Sequence, residues 1–140
     1  MAITIANSFL PHLDAEESLK FYRDVLGFDV RLDVGEGQMR WITVGPPNQP
    51  DTAIVLHPPG VGTDITDEER DVLQRLIAKG SYFGVNLATD DLDATFAAIE
   101  AAGADIIQEP IDQDWGARDA AFRDPAGNMI RIQAAPKAAV

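Results

Sequence analysis

Trp115 and Arg118 set an indole and a guanidinium three residues apart within residues 112–133, DQDWGARDAAFRDPAGNMIRIQ. A large aromatic and a fixed cation beside a sheet could line a pocket; the pair reads as well as a core indole and a solvated strand charge. The other reactive groups are sparse. There is no cysteine, which excludes disulfides, thiolate zinc sites and cysteine nucleophiles, so any metal would need nitrogen and oxygen ligands. Ser8, Ser18 and Ser81 have no evident base or nucleophile elbow near them in sequence. Of the two histidines, His57 precedes Pro58-Pro59 and reads as the partly solvated end of a strand, and His12, beside Pro11 and a helix start, reads as a surface residue.

The elements that must position these groups follow from local signals. Residues 3–10 are apolar and β-branched as in a strand, with Pro11 marking an edge or exit. Asp14 has N-cap character with Glu17 at capping-box spacing, Leu19, Phe21, Tyr22, Val25 and Leu26 form an apolar helix face, and Gly27 stops it. Strands are expected at 28–34, 39–44 and 52–57. The second half repeats the first: strand 82–89, Asp90 as cap, Leu92, Phe96, Ile99 and Ala102 as the buried helix face, and Gly103 as stop. Asp14 to Gly27 and Asp90 to Gly103 both span thirteen positions. Two runs of strand character, 120–123 and 129–133, flank the turn cluster Asp124-Pro125-Ala126-Gly127-Asn128. The pattern predicts an α+β fold of two βαβββ modules, each too small to bury its own sheet alone. Module one spans about 1–57, module two about 81–133, and residues 134–140 form a tail. Between the modules, Thr66 with Glu69 and the apolar spacing of Val72, Leu73, Leu76 and Ile77 predict a linker helix over 67–79, a packing element or a lid.

The length of 140 residues suits one domain, and a formal charge of −12, from 11 basic against 23 acidic residues, argues against nucleic-acid or anionic-membrane partners. The N-terminal stretch is neither a signal peptide nor a membrane span, so a cytoplasmic protein is expected.

Two βαβββ modules, the run Leu19-Lys20-Phe21-Tyr22-Arg23-Asp24-Val25-Leu26-Gly27-Phe28 and the Asp124–Asn128 turn together resemble the glyoxalase / bleomycin-resistance / extradiol-dioxygenase group, the vicinal oxygen chelate superfamily. The resemblance implies sheets curled into half-barrels around a cavity, commonly completed in a homodimer. In the family's enzymes it implies a divalent metal acting as Lewis acid on two vicinal substrate oxygens. The positions that would carry the metal ligands here hold Asn7, Gly84, Arg131 and, on the fourth strand, Val55. Glycine offers no side-chain ligand and a guanidinium repels a cation, which leaves His57 as the one metal candidate.

With Arg131 in place of a carboxylate, the local preference shifts toward an anion, a phenolate or a carbonyl oxygen, and Arg131 itself needs a partner, either a ligand carboxylate or a protein Asp or Glu. Strand parity sets Met129 and Gln133 with Arg131, and Phe9 with Asn7. Trp41, Asn86, Trp115 and Arg118 complete the expected lining, aromatic and apolar with a few placed polar groups. The expectation is a metal-independent small-molecule-binding protein holding an aromatic or amphipathic ligand, with no cofactor. The alternatives are a lyase, isomerase or dioxygenase-type enzyme, with an unconventional metal shell or with Arg131 stabilising an oxyanion, and a structural dimer with a filled cavity.

Overall fold

The computed structural model describes residues 2–61 and 64–135. Its order is β1 (Ser8–Pro11), α1 (Ala15–Leu19) continued by a π-helical turn (Lys20–Val25), β2 (Asp29–Glu36), β3 (Met39–Gly45), β4 (Ile54–His57), α2 (Asp67–Ala78), β5 (Gly84–Thr89), α3 (Leu92–Ala101), β6 (Asp105–Asp112), β7 (Arg118–Arg123) and β8 (Met129–Ala134). The strands form two four-stranded mixed sheets, ordered β1-β4-β3-β2 and β5-β8-β7-β6, so the two βαβββ modules share one topology. In each the first strand runs parallel to the last and the rest are antiparallel. The second strand of each sheet also breaks register at the same place, between Val30 and Leu32 and between Ile106 and Gln108. No helix among the described residues is long and apolar enough to cross a membrane.

Two of the expected boundaries move for reasons visible in the local structure. The first strand begins at Ser8, because its neighbour β4 is only four residues long and residues 3–7 have no strand to pair with among the described residues; Ile3 and Ile5 are 81% and 75% exposed. Asp91, not Asp90, caps α3, its carboxylate accepting from Ala94 N at 3.1 Å. The cap-to-glycine distance is then twelve positions in module two against thirteen in module one. The extra residue in module one is absorbed by the π-helical turn, where Leu26 N donates to Phe21 O across five residues at 3.0 Å. That turn brings the adjacent Phe21 and Tyr22 both inside, at 6% and 0% exposure.

Each sheet buries one face under helices, and the two buried faces merge into one core. Leu10, Ile42, Val44 and Leu56 come from the first sheet, and Ala120, Phe122, Ile130 and Ile132 from the second. Phe21 of the π-helical turn meets Phe122 of β7 with ring centroids 5.9 Å apart. At the seam, Tyr22 Oη donates to Asp124 Oδ2 at 2.6 Å, and Asn128 Nδ2 donates to both Asp124 Oδ2 and Pro11 O, at 2.9 and 2.7 Å. Asp124 Oδ1 meanwhile accepts from the backbone N–H of Ala126, Gly127 and Asn128, closing the β7–β8 turn. Gly127 is required twice over: its φ is 106°, and a Cβ there would lie 2.3 Å from Ala78 O at the end of α2. Helix α2, opened by the reciprocal Thr66–Glu69 capping box, thus packs on this turn through its C-terminal end, with Ile77 fully buried.

His12 corrects the expectation of a surface residue. It is 4% exposed, with Nε2 2.8 Å from Arg40 O and Nδ1 3.2 Å from Ser18 Oγ. Its ring fills the corner between β1, α1 and β3, a tertiary position that neighbouring residues do not reveal.

Two measurements probe these contacts. Tyr22→Phe removes the phenol that joins the modules and is expected to cost about 1.5–3 kcal/mol in denaturant unfolding, the range for a hydrogen bond to a charged group; an unchanged midpoint would remove this bond from the account of stability. Burial lowers the His12 pKa below its ordinary 6.5, against the pull of its bond to the Arg40 carbonyl. The unfolded chain therefore takes up a proton at a pH where the fold does not, so this contribution is full above 6.5 and declines as pH falls below it. The melting temperature should drop between about pH 7.5 and 5.5, and His12→Gln should flatten that slope. Parallel slopes for the two proteins would rule it out.

Candidate functional site

The face of each sheet turned away from the core carries no covering element among the described residues. On the first sheet, register places Phe9, Val55, Thr43, Trp41, Val34 and Leu32 on this face, with His57 at one end. It is largely apolar: Phe9 is 58%, Leu32 56% and Val34 46% exposed. His57 stands edge-on to Phe9, with ring centroids 5.8 Å apart and Nδ1 3.0 Å from Pro58 O. Asn7, just ahead of β1, is exposed.

The second sheet presents a polar counterpart. Asn86 of β5, Arg131 of β8 and Ala121 of β7 are register partners in one row, flanked by Met129 and Gln133 on β8 and by Asp119 on β7. Arg131 Nη1 donates to Asp119 Oδ2 at 3.2 Å and to Gln108 Oε1 at 3.3 Å. Asp119 Oδ1 accepts from Gln108 Nε2 and Gln113 Nε2, both at 2.9 Å. The guanidinium has therefore found a protein carboxylate. Asp119 is 2% exposed, and although burial opposes its ionisation, the bonds from Gln113, Gln108 and Arg131 hold its pKa below the usual carboxylate range. The side chain of Arg131 keeps 35% of its surface open, and among the described residues its Nε and Nη2 have no acceptor.

Gln113 also belongs to the loop between β6 and β7, closed by Gln113 N to Ala117 O at 2.7 Å, and at the tip of that loop Trp115 is 71% exposed. The Arg131–Asp119–Gln113 chain thus ties the indole's loop to the sheet floor. Arg118 does not join them. Parity on β7 turns it to the helix-covered face, where it pairs with Asp93 of α3 at 3.0 Å and with Asp112 at 3.5 Å. Asp119, Gln108 and Gln113 are the site residues that the sequence reading missed; the strand parity that grouped Met129 and Gln133 with Arg131 would have found Asp119 once the β7–β8 register was known.

The expected lining therefore falls into two groups, Phe9 and Trp41 on one sheet and Asn86, Met129 and Arg131 on the other, with Trp115 beside the second. Because both sheets give their opposite faces to one core, these groups lie on the outside of the chain. The clefts lined by described residues beside the β7–β8 turn, beside β5 and beside β4 take in only Asn86 of them. The positions at which the family's enzymes would hold a metal do not fit one here. A Cβ at Gly84 would lie 2.7 Å from Met129 O, Arg131 is committed to Asp119, and no group of three or more His, Asp or Glu side chains among the described residues could hold an ion.

Comparison with known proteins agrees with this architecture. The Glyoxalase/Bleomycin resistance protein/Dioxygenase superfamily matches residues 5–132. The uncharacterized protein YurT of Bacillus subtilis (strain 168) is 28% identical over 136 residues, covering 94% of this chain and 98% of that protein. Among solved structures, UcmS2 superposes with a TM-score of 0.82 at 34% identity, covering 95% of this chain and 98% of that one. TnmS3, an antibiotic binding protein from Streptomyces sp. CB03234, does so with a TM-score of 0.71 at 31% identity, covering 97% and 99%.

Replacing Gln113 by Ala should free the loop while leaving the sheet intact. In a Trp41→Phe background, Trp115 emission is expected to lose steady-state anisotropy, with a stability cost of about 0.5–1.5 kcal/mol; unchanged anisotropy would show that Gln113 does not restrain the indole.

Proposed function

The chain belongs to the Glyoxalase/Bleomycin resistance protein/Dioxygenase superfamily, and from that premise we propose that it is a metal-independent binding protein for an aromatic or amphipathic small molecule. The observation that carries this reading is the pair of uncovered sheet faces, one apolar around Phe9 and Trp41, the other polar around Arg131. Isolated monomers rarely leave so much apolar strand surface to water without a use for it. Two copies set so that the first sheet of one faces the second sheet of the other would cover both surfaces. The space left between them would have aromatic walls and a few oriented donors, the ordinary make-up of a small-molecule pocket. The proposal is therefore a homodimer whose ligand sits between subunits, touching Phe9 and Trp41 of one and Asn86, Met129, Arg131 and Trp115 of the other. The similarity to TnmS3, an antibiotic binding protein, supports a role in holding a compound without altering it.

The donor chemistry supports metal independence. Asn7, Val55, Gly84 and Arg131 supply no anionic or imidazole ligand, and His57 is engaged by Phe9 and the Pro58 carbonyl. In this reading Arg131 and Asn86 orient the ligand by hydrogen bonds, and the aromatic residues exclude water from it.

Light scattering after gel filtration should give twice the chain mass of 15.1 kDa. Titration with planar aromatic compounds should quench tryptophan emission, and Trp115→Ala should weaken the binding by about 1–3 kcal/mol, the loss for an aromatic contact at an interface centre. A monomer whose emission responds to no aromatic compound would sink the proposal. Near-stoichiometric metal in protein purified without an affinity tag, with a melting point raised by one ion and reversed by chelator, would sink metal independence alone.

A further inference from the structure

We propose that the Arg131–Asp119 pair selects a neutral, carbonyl-bearing planar aromatic ligand over an anionic one. This rests on the binding role proposed above and names its ligand class. A lone arginine at the floor of a binding face would favour an anion, but here the guanidinium sits 3.2 Å from the Asp119 carboxylate. The two charges cancel, while the carboxylate, at 2% exposure, is sealed from any ligand by Gln108, Gln113 and Arg131 itself. What remains on the open side is a set of oriented N–H donors without net charge: Nε and Nη2 of Arg131, which have no acceptor among the described residues.

An anion placed there would share the guanidinium with a fixed carboxylate, and that repulsion acts at short range under poor solvent screening. It would also approach a chain of net charge −12. A neutral carbonyl oxygen meets neither penalty and asks only for a donor. A hydrocarbon of the same shape would leave Arg131 and Asn86 desolvated and unpaired, which costs more than the contact returns. The planar preference comes from Trp115, an indole 71% exposed at the tip of a loop that Gln113 ties to Asp119 and so to the Arg131 row.

The test uses three probes of one shape, the hydrocarbon fluorene, the ketone 9-fluorenone and the anion 9-fluorenone-4-carboxylate, in equilibrium dialysis against the full chain. The wild-type protein is expected to hold the ketone about ten-fold more tightly than either of the others, the loss expected for one unmet hydrogen bond to a charged group. Asp119→Asn keeps the shape and removes the compensating charge, and should raise affinity for the carboxylate about ten-fold relative to fluorene. Arg131→Gln should erase the preference for ketone over hydrocarbon, and carries the test alone if the Asp119 variant does not fold. Equal affinity for all three probes, or a wild-type preference for the carboxylate, would overturn the ligand class while leaving the binding role standing. Failure of the wild-type protein to bind any of them would overturn the binding role, and the ligand class with it.

Discussion

Asp124 is a carboxyl group left only 6% exposed, and the donors that surround it come from both halves of the chain. Tyr22 reaches it from the module-one helix, Asn128 and three backbone N–H groups from its own turn, and the same Asn128 reaches across to the Pro11 carbonyl. Burial pushes the Asp124 carboxyl above the usual range against the pull of these bonds, and burial next to it pushes the Tyr22 phenol well up, so that phenol remains a donor. A buried group of this kind is tolerated only while every donor stays in place. That condition ties the end of β1, the π-helical turn and the β7–β8 turn into one junction, and the merged core is built around it.

The junction decides where a ligand could go. Because it draws the helix-covered sides of both sheets together, the opposite faces are forced outward, and the residues that the family pattern would place in one cavity lie on two separate surfaces. The first surface is apolar and the second has a charge-balanced polar centre, so neither repels a facing surface of the other kind. Covering Phe9, Leu32 and Val34 would remove from water apolar area that no element among the described residues shields. The asymmetry between the faces also favours contact between unlike sheets over contact between like ones, since two polar faces together would desolvate Arg131 and Asn86 without new partners.

Much of this was legible in the sequence, for reasons that can be stated. The repeat, the linker helix with its Thr66–Glu69 box and the Asp124–Asn128 turn announce themselves because caps and turns use short-range chemistry, which neighbouring residues carry. The readings that moved depended on distant partners. Residues 3–7 have the composition of a strand, and the four-residue length of β4 reveals that no strand among the described residues pairs with them. Asp90 and Asp91 are chemically the same cap; the choice between them followed from assuming equal helices, and the π-helical turn in module one breaks that equality. His12 looked exposed because it stands beside Pro11 and a helix start, whereas its burial depends on Arg40 and Ser18. For Arg131 the sequence posed the right question, ligand or protein carboxylate, and the answer needed the register between β7 and β8.

That answer bears on what would be needed for the face to hold a metal. Glutamate in place of Arg131 would set a second carboxylate beside Asp119, which is held ionised by two glutamine amides, and remove the cation that balances it. A histidine at Gly84 would need its Cβ where the Met129 carbonyl already stands, so β5 and β8 would have to separate first. Each change is therefore unfavourable until others are made: the ligand at 84 needs the strands moved, and the carboxylate at 131 needs Asp119 gone. Close strand contact at Gly84 and charge balance between Arg131 and Asp119 thus oppose the two changes separately, and the donors left over on the open side are what the proposed ligand would meet.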